Sequence, residues 1–273
     1  MSVNSTMYIG TTGLTSFAQA LSMTADNVAN ANTTGFKASH ARFGDMVSSY
    51  LTTQGIDTDR AGAGSAIIGV ATNFAQGSLS TTETWSDIAI NGDGFFAVHK
   101  LIDGALDDTA QTYYTRDGGF HVNDEGLLVN NQGLSVLDSE GAAIPIDDPA
   151  APVYYNYNID SDGQIWGTPI DPAGGTAPQS LGLIGLSTFP NQDGLIRQGA
   201  NLYLPGPESG NVVTTTVAAK ANVSIVDCSV EASNVDLATE MVNMIIYQAD
   251  YNANSKSITT GSTMLDTVIN MVR

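Results

Sequence analysis

Three local patterns in this chain have residue types suited to chemistry, and each fails on its context. Gly92-Asp-Gly94-Phe-Phe-Ala97 fits the glycine spacing of a dinucleotide-binding loop. The residues that follow, Phe95–His99, have the aromatic and β-branched content of a strand, so a phosphate would meet no helix N-terminus there. Asn158-Ile-Asp160-Ser-Asp162-Gly163 has the spacing that opens a calcium loop, but its twelfth position is Pro169 where a bidentate Glu is required. It reads as a turn. His40, His99 and His121 stand too far apart for a local zinc pattern, and no His-Glu-x-x-His occurs. No Ser sits in a nucleophile elbow. The single Cys228 excludes an internal disulfide framework and reads as a small apolar residue in the strand-like 222–230. The expectation is a protein that is not an enzyme and uses no cofactor, metal or small-molecule substrate.

The elements behind these patterns point to assembly instead. Leu237, Met241, Met244, Gln248, Tyr251, Ser255, Ile258, Ser262, Leu265, Ile269 and Val272 follow one another at steps of four and three. That is a heptad seam, with Ile245 beside it. Met7, Gly10, Leu14, Phe17, Leu21, Thr24, Val28 and Ala31 form a matching one at the start of the chain. The spacing predicts a helix over 5–31, about 40 Å long, and another over 234–272 of about 58 Å. Gly35 is placed to take the left-handed conformation that stops the first. Ser233-Asn-Val-Asp236 reads as the cap of the second.

Between the ends the punctuation changes. Asp-Gly recurs at 93–94, 103–104, 117–118, 162–163 and 193–194, and Asn-Gly at 91–92, with short β-prone runs between. This pattern predicts hairpins in a mainly antiparallel, barrel-like or sandwich-like domain. Met46–Leu51 is expected to add a helical turn, 54–69 to be a linker or extended arm, and 145–180, with six prolines, to be loop-heavy. The fold class is therefore α+β: long N- and C-terminal helices paired as a coiled coil, with a central antiparallel β domain. Residues 1–35 with 233–273 form the helical part, 36–80 a linker or arm, and 81–232 the β-rich part.

Net charge is −19, from 28 acidic and 9 basic residues, which argues against a nucleic-acid partner. Residues 1–40 are neutral and 233–273 carry −2, so the middle holds −17. Nearly neutral ends suit burial in an assembly, and an acidic middle suits exposure to solvent. No apolar run is long enough to span a bilayer, and the first residues lack a cleavable secretory signal.

Four segments together resemble the bacterial flagellar axial family of rod and hook proteins. Asn27-Val-Ala-Asn-Ala-Asn-Thr-Thr-Gly35-Phe36-Lys37 is similar to its N-terminal element, and Asp87-Ile-Ala-Ile-Asn-Gly92-Asp-Gly94-Phe95-Phe96 to its central one. Tyr114-Thr-Arg-Asp-Gly-Gly-Phe120 with Asp124-Glu-Gly-Leu-Leu-Val129 is similar to its hairpin, and Ser233–Ile245 followed by Asn254-Ser-Lys256 to its C-terminal helix. The resemblance covers essentially the whole chain. It implies that the terminal helices pair as the inner tube of a hollow helical homopolymer, with the β domain outside. Leu14, Phe17, Leu21 and Val28 would pack against Leu237, Met241, Ile245, Ile258, Leu265 and Ile269. Gly35 would turn the chain out of the first helix with Phe36 as anchor. Gly92 and Gly94 would allow a tight turn before Phe95 and Phe96 enter the core.

The implied partners are the chain itself, adjacent flagellar axial proteins (the rod and the hook–filament junction) and the flagellar export machinery. The implied place is the basal body or hook, outside the cytoplasm, reached without a cleaved signal. Gly35–Met46 and the C-terminal end look hook-like, while the length is near that of rod proteins, so a short hook protein is expected, with a rod protein as the alternative. A secreted β-rich adhesin-like module, trimerised by its helices, is the alternative of another class, and it would form a closed oligomer.

Overall fold

The periodic ends of the chain are helical. In the computed structural model, residues 3–47, 62–102, 105–106, 111–146, 154–169, 177–220 and 222–272 are described. They fall into two compact units: 1–31, 38–73 and 235–273 in one, 32–37 and 74–234 in the other.

In the helical unit, α1 (Val3–Ala29) and α2 (Leu237–Val272) pack antiparallel. The run of close contacts fixes the direction: Gly10 lies against Ile258, Gly13 against Asn254, Phe17 near Tyr247, and Asn27 is bonded to Glu240. Gly10 and Gly13 each lower helix propensity by roughly 1 kcal/mol against Ala. Their positions explain the choice. A Cβ at Gly10 would stand 2.8 Å from Ile258 Cγ1, and one at Gly13 would stand 2.7 Å from Asn254 Oδ1. The hydroxyls of Thr12, Ser16 and Thr24 donate to carbonyls three or four residues back. Polar side chains on an inward face are thereby satisfied within their own helix. The N-cap of α2 is Asp236, not Ser233. Its carboxylate accepts from Ala238 N at 3.0 Å and Thr239 Oγ1 at 2.9 Å, and 232–236 are not helical.

The stretch expected to be a linker or extended arm is a two-stranded ribbon where it is described. Strands β1 (Ser39–Val47) and β2 (Gly62–Thr72) form an antiparallel ribbon running from Ser39↔Thr72 to Val47↔Gly62. Met46 and Val47 are strand rather than the start of a helical turn, and 48–51 lie outside the described residues. A lone two-stranded ribbon is marginal in water; this one rests on α1 and α2. Ser16 Oγ donates to Ser65 O at 2.9 Å, and the rings of Phe43, Phe17 and Tyr247 stand 5.4–6.3 Å apart.

The second unit is antiparallel β. Phe95–Ile102 is its spine, pairing with Tyr113–Thr115, Leu134–Val136 and Gly185–Thr188. Alternation along this strand splits the core. Phe96 and Val98 join Ile88, Leu128, Val136 and Ile184 on one side; Phe95 and Ala97 join Tyr114, Phe189 and Tyr203 on the other. Two strands, Tyr154–Ile159 and Gln164–Pro169, lie in the region expected to be loop-heavy, and a third, Gln179–Leu183, begins at its end. Ile159 and Ile165 are buried, and Tyr157 stacks on Trp85 at 4.5 Å. Their burial outweighs the local Pro and Gly content. Asp160–Gly163 is the hairpin turn between the first two, closed by Gly163 N donating to Asp160 O at 2.8 Å. Gly92–Gly94 leads directly into the spine strand.

Candidate functional site

The chemistry of this chain lies in its surfaces and its buried polar groups. On α1 the buried residues are Gly10, Gly13, Ser16, Ala20, Thr24 and Asn27, spaced by three and four. On α2 the least exposed are Glu240, Asn243, Met244, Tyr247, Asp250, Asn254, Ser255, Ile258, Gly261 and Leu265. The contact is thus a narrow seam of small and polar side chains that lets the two backbones approach closely. Leu14, Phe17, Leu21 and Val28 flank it, half-buried. Met244, Ile258 and Leu265 belong to it. Ser255 also lies in it, and five apolar residues of the expected face do not. Leu237 (44%), Met241 (54%), Ile245 (66%), Tyr251 (40%) and Ile269 (61%) are exposed in the single chain, as are Val242, Ile246, Met264 and Val268. Glu240, Tyr247, Asn254 and Gly261 stand one residue before Met241, Gln248, Ser255 and Ser262 while the row of Met244, Ile258 and Leu265 is kept, so the centre of the seam is turned about 50° from the expected face. A search for apolar periodicity could not find a seam whose best contacts are glycines and amides. Gly10 and Gly13 were the available signal, as glycines kept inside a helix.

The apolar surface left on α2 is large. Full burial of one such side chain stabilises by roughly 1.5–3 kcal/mol, and contiguous exposed patches of this kind mark interaction sites.

The turn residues lie in the second unit. Gly35 has φ +66°, and a Cβ there would stand 2.5 Å from Asp117 N, so only glycine fits without displacing backbone. Gly35 N donates to Glu231 O, and Asn201 Nδ2 donates to Thr34 O. Phe36 is buried beneath the Arg197 guanidinium, 4.7 Å from its ring centre. Gly92 has φ +114° and presses on the Asn222 carbonyl. Gly94 abuts the Leu186 side chain, and Phe95 and Phe96 are fully buried.

Beneath these turns lies an ion cluster that local reading missed. Glu231 Oε1 accepts from Lys37 Nζ at 2.6 Å and from Gly77 N at 2.8 Å. Its Oε2 accepts from Arg116 Nη1 at 3.3 Å. Lys37 also donates to Ala75 O, and Arg116 to Gly92 O. All three charges are buried. Burial lowers the pKa of both cations, against the pull of Glu231 and, for Arg116, of Asp93. Tyr203 nearby is pushed up to about 12 by burial. Asp117 is raised by burial although Gly119 N and Thr34 Oγ1 donate to it. Lys37 and Glu231 are 194 residues apart, so no local spacing could have paired them. Cys228 takes φ +46° between the strands Ser224–Asp227 and Ser229–Glu231 instead of lying within one strand.

Comparison with known proteins matches both ends and the middle of the chain. The family model for the flagellar hook protein FlgE/F/G D1 domain matches residues 89–167. That for the flagellar basal body rod FlgEFG protein C-terminal region matches 226–271, and that for flagella basal body rod proteins matches 7–37. Among curated relatives, the flagellar basal-body rod protein FlgG of Bacillus subtilis is 33% identical, covering 98% of each chain. FlgG of Buchnera aphidicola subsp. Schizaphis graminum is 36% identical over 95% of this chain and 96% of its own. The rod protein FlgF of Mesorhizobium japonicum is 32% identical over 89% and 87%. With relatives of this identity over nearly its whole length, the chain belongs to the bacterial flagellar rod and hook protein family and is a structural subunit of the flagellar axis, not an enzyme.

Proposed function

We propose that this chain is a subunit of the basal-body rod, polymerising with copies of itself into a straight hollow helical tube. The carrying observation is the outward apolar face of α2, which the single chain leaves uncovered. Contacts between copies are head-to-tail and non-closing, so they propagate a filament. The α1–α2 pair serves as a coiled-coil inner tube, and the acidic β-rich unit faces outward. The expected hook assignment gives way to the rod because the relatives matched over nearly their full length are named basal-body rod proteins. Adjacent axial proteins are its partners at the two ends of the tube. The chain reaches its place through the flagellar export channel.

The test is electron microscopy of the purified full-length chain after raising salt. At 0.15 M the Debye length falls to roughly 8 Å, which screens repulsion between chains of net charge −19. Straight hollow tubes are the expected result. Curved tubes would return the hook assignment, and discrete closed particles would favour an adhesin-like oligomer.

A further inference from the structure

Inside the helical unit a buried polar group occupies the place where a large apolar residue would be expected. Glu240 is 2% exposed on the inner face of α2, one position before Met241. Its Oε1 accepts from Asn27 Nδ2 at 3.2 Å, with His40 Nδ1 at 3.7 Å. Its Oε2 is buried with no hydrogen-bond partner among the described residues. Asn27 is fully buried and clasps the first residue of β1: its Oδ1 accepts from Ser39 N and its Nδ2 donates to Ser39 O, both at 2.9 Å. One amide thus joins α1, β1 and α2.

Packing fixes this arrangement only in part. The innermost residues of α1 ahead of Thr24 and Asn27 are the small Gly10, Gly13, Ser16 and Ala20, and Phe17 meets Tyr247 at their flank. α2 carries two overlapping seams that share the row of Met244, Ile258 and Leu265. The unused row, Met241, Gln248, Ser255, Ser262 and Ile269, has at its ends apolar side chains that the structure leaves in water. A buried polar pair is a known means of choosing one register over better-packed rivals.

We propose that the Asn27–Glu240 pair is the specificity-determining lock of the helical unit: it holds α2 rotated so that Met241 and Ile245 point outward, available to a second copy of the chain. Without it α2 turns those residues onto α1, and the chain satisfies its own apolar face at the expense of assembly. Glu240 and Asn27 act here as positioning residues. The rotation stands on the geometry above, and only its consequence for polymerisation rests on the rod reading.

The test reads rotation and assembly separately, in full-length chains carrying Cys228→Ser. Met241→Cys supplies a thiol on the outward face, and its maleimide labelling rate is measured on the unassembled chain. With the lock intact it labels as an exposed thiol. Adding Asn27→Leu and Glu240→Leu is expected to slow labelling at least tenfold. The same leucine pair without Met241→Cys is expected to keep or raise the thermal midpoint and to lose tubes. Glu240→Gln keeps an acceptor for Asn27 and is expected to preserve both labelling and tubes. Unchanged labelling in the leucine pair overturns the proposal, as does loss of tubes without thiol protection. If the leucine pair fails to fold, Asn27→Asp sets two carboxylates face to face and is expected to protect the thiol, and adding Glu240→Gln is expected to reverse that; failure to reverse overturns the lock. Should the parent chain form no tubes while the labelling results hold, the rod reading falls and the lock stands.

Discussion

Replacing Glu231 by Gln tests the ion cluster more sharply than any other substitution, because the cluster is unequal. Two buried cations, Lys37 and Arg116, share one carboxylate within hydrogen-bonding distance. Glu231→Gln keeps an acceptor for Gly77 N but removes the counter-charge from both cations and turns an amide N–H toward one of them. Removing one partner of a buried pair costs about 3–5 kcal/mol, and this change strands two. Lys37→Met acts differently. It leaves Glu231 accepting from Arg116 and Gly77 N, and the Ala75 carbonyl still accepts from Asn234 Nδ2, so the loss is that of one charged hydrogen bond, at a cost of about 1–3 kcal/mol. The assay is urea unfolding followed by tryptophan fluorescence. Both tryptophans, Trp85 and Trp166, lie in the β-rich unit, so the signal reports that unit. With a denaturant slope of about 2 kcal/mol/M, Glu231→Gln should lower the midpoint by roughly 2 M and Lys37→Met by less than half as much. Equal losses, or a larger loss for Lys37→Met, would refute the view that Glu231 is the shared counter-ion.

Other substitutions have outcomes as definite. Ile245→Asp places a charge on the outward face of α2 and should leave the unassembled chain's circular dichroism unchanged while abolishing polymer in a sedimentation assay. Leu265→Asp strikes a residue already half-buried against α1 and should lower helical content as well. Gly35→Ala forces a Cβ onto the Asp117 backbone at positive φ and should cost more than 1 kcal/mol by urea unfolding. Asp117 has a raised pKa in the folded chain, so its ionised form is disfavoured there: the cost is absent below the ordinary carboxylate range and appears as pH rises through the folded value. Asp117→Asn, which keeps the acceptor for Gly119 N, should therefore raise the thermal midpoint at pH 7 and change it little near pH 3. Asp236 has the opposite sign, its pKa lowered by the Thr239 and Ala238 donors, so the α2 cap should fray as acid protonates it, read by amide exchange in the first turn.

Sequence made some of this legible and hid the rest for physical reasons. Both helices announce themselves by period, and Phe95–Ile102 by its β-branched and aromatic run after a glycine turn. The α1–α2 contact within one chain does not follow the expected seam because apolar periodicity marks any face suited to being covered, by this chain or by another molecule; Met241 and Ile245 signal as strongly as a core would. Ribbon strand β2, Gly-Ala-Gly-Ser-Ala-Ile-Ile-Gly-Val-Ala-Thr, has the composition of a linker and gains its order from α1. Pro169 counted toward a loop, yet it ends a strand, where the missing N–H is tolerated. The Lys37–Glu231–Arg116 cluster and the Asn27–Glu240 pair join residues distant in sequence, and nothing near any of them foretells a partner.

Gly10 meets Ile258, and Gly13 meets Asn254, across almost the entire length of the chain. A segment with two glycines three residues apart has weakened intrinsic helicity, and most of a helix's stability in a protein comes from the surface it packs against. Its stabilising surface is synthesised some 240 residues later, a span of very high contact order. The N-terminal helix is accordingly among the last elements able to fold. Until the final helix arrives it remains a loose, threadable end, and the glycines that allow tight packing in the finished subunit also delay the moment at which that packing begins.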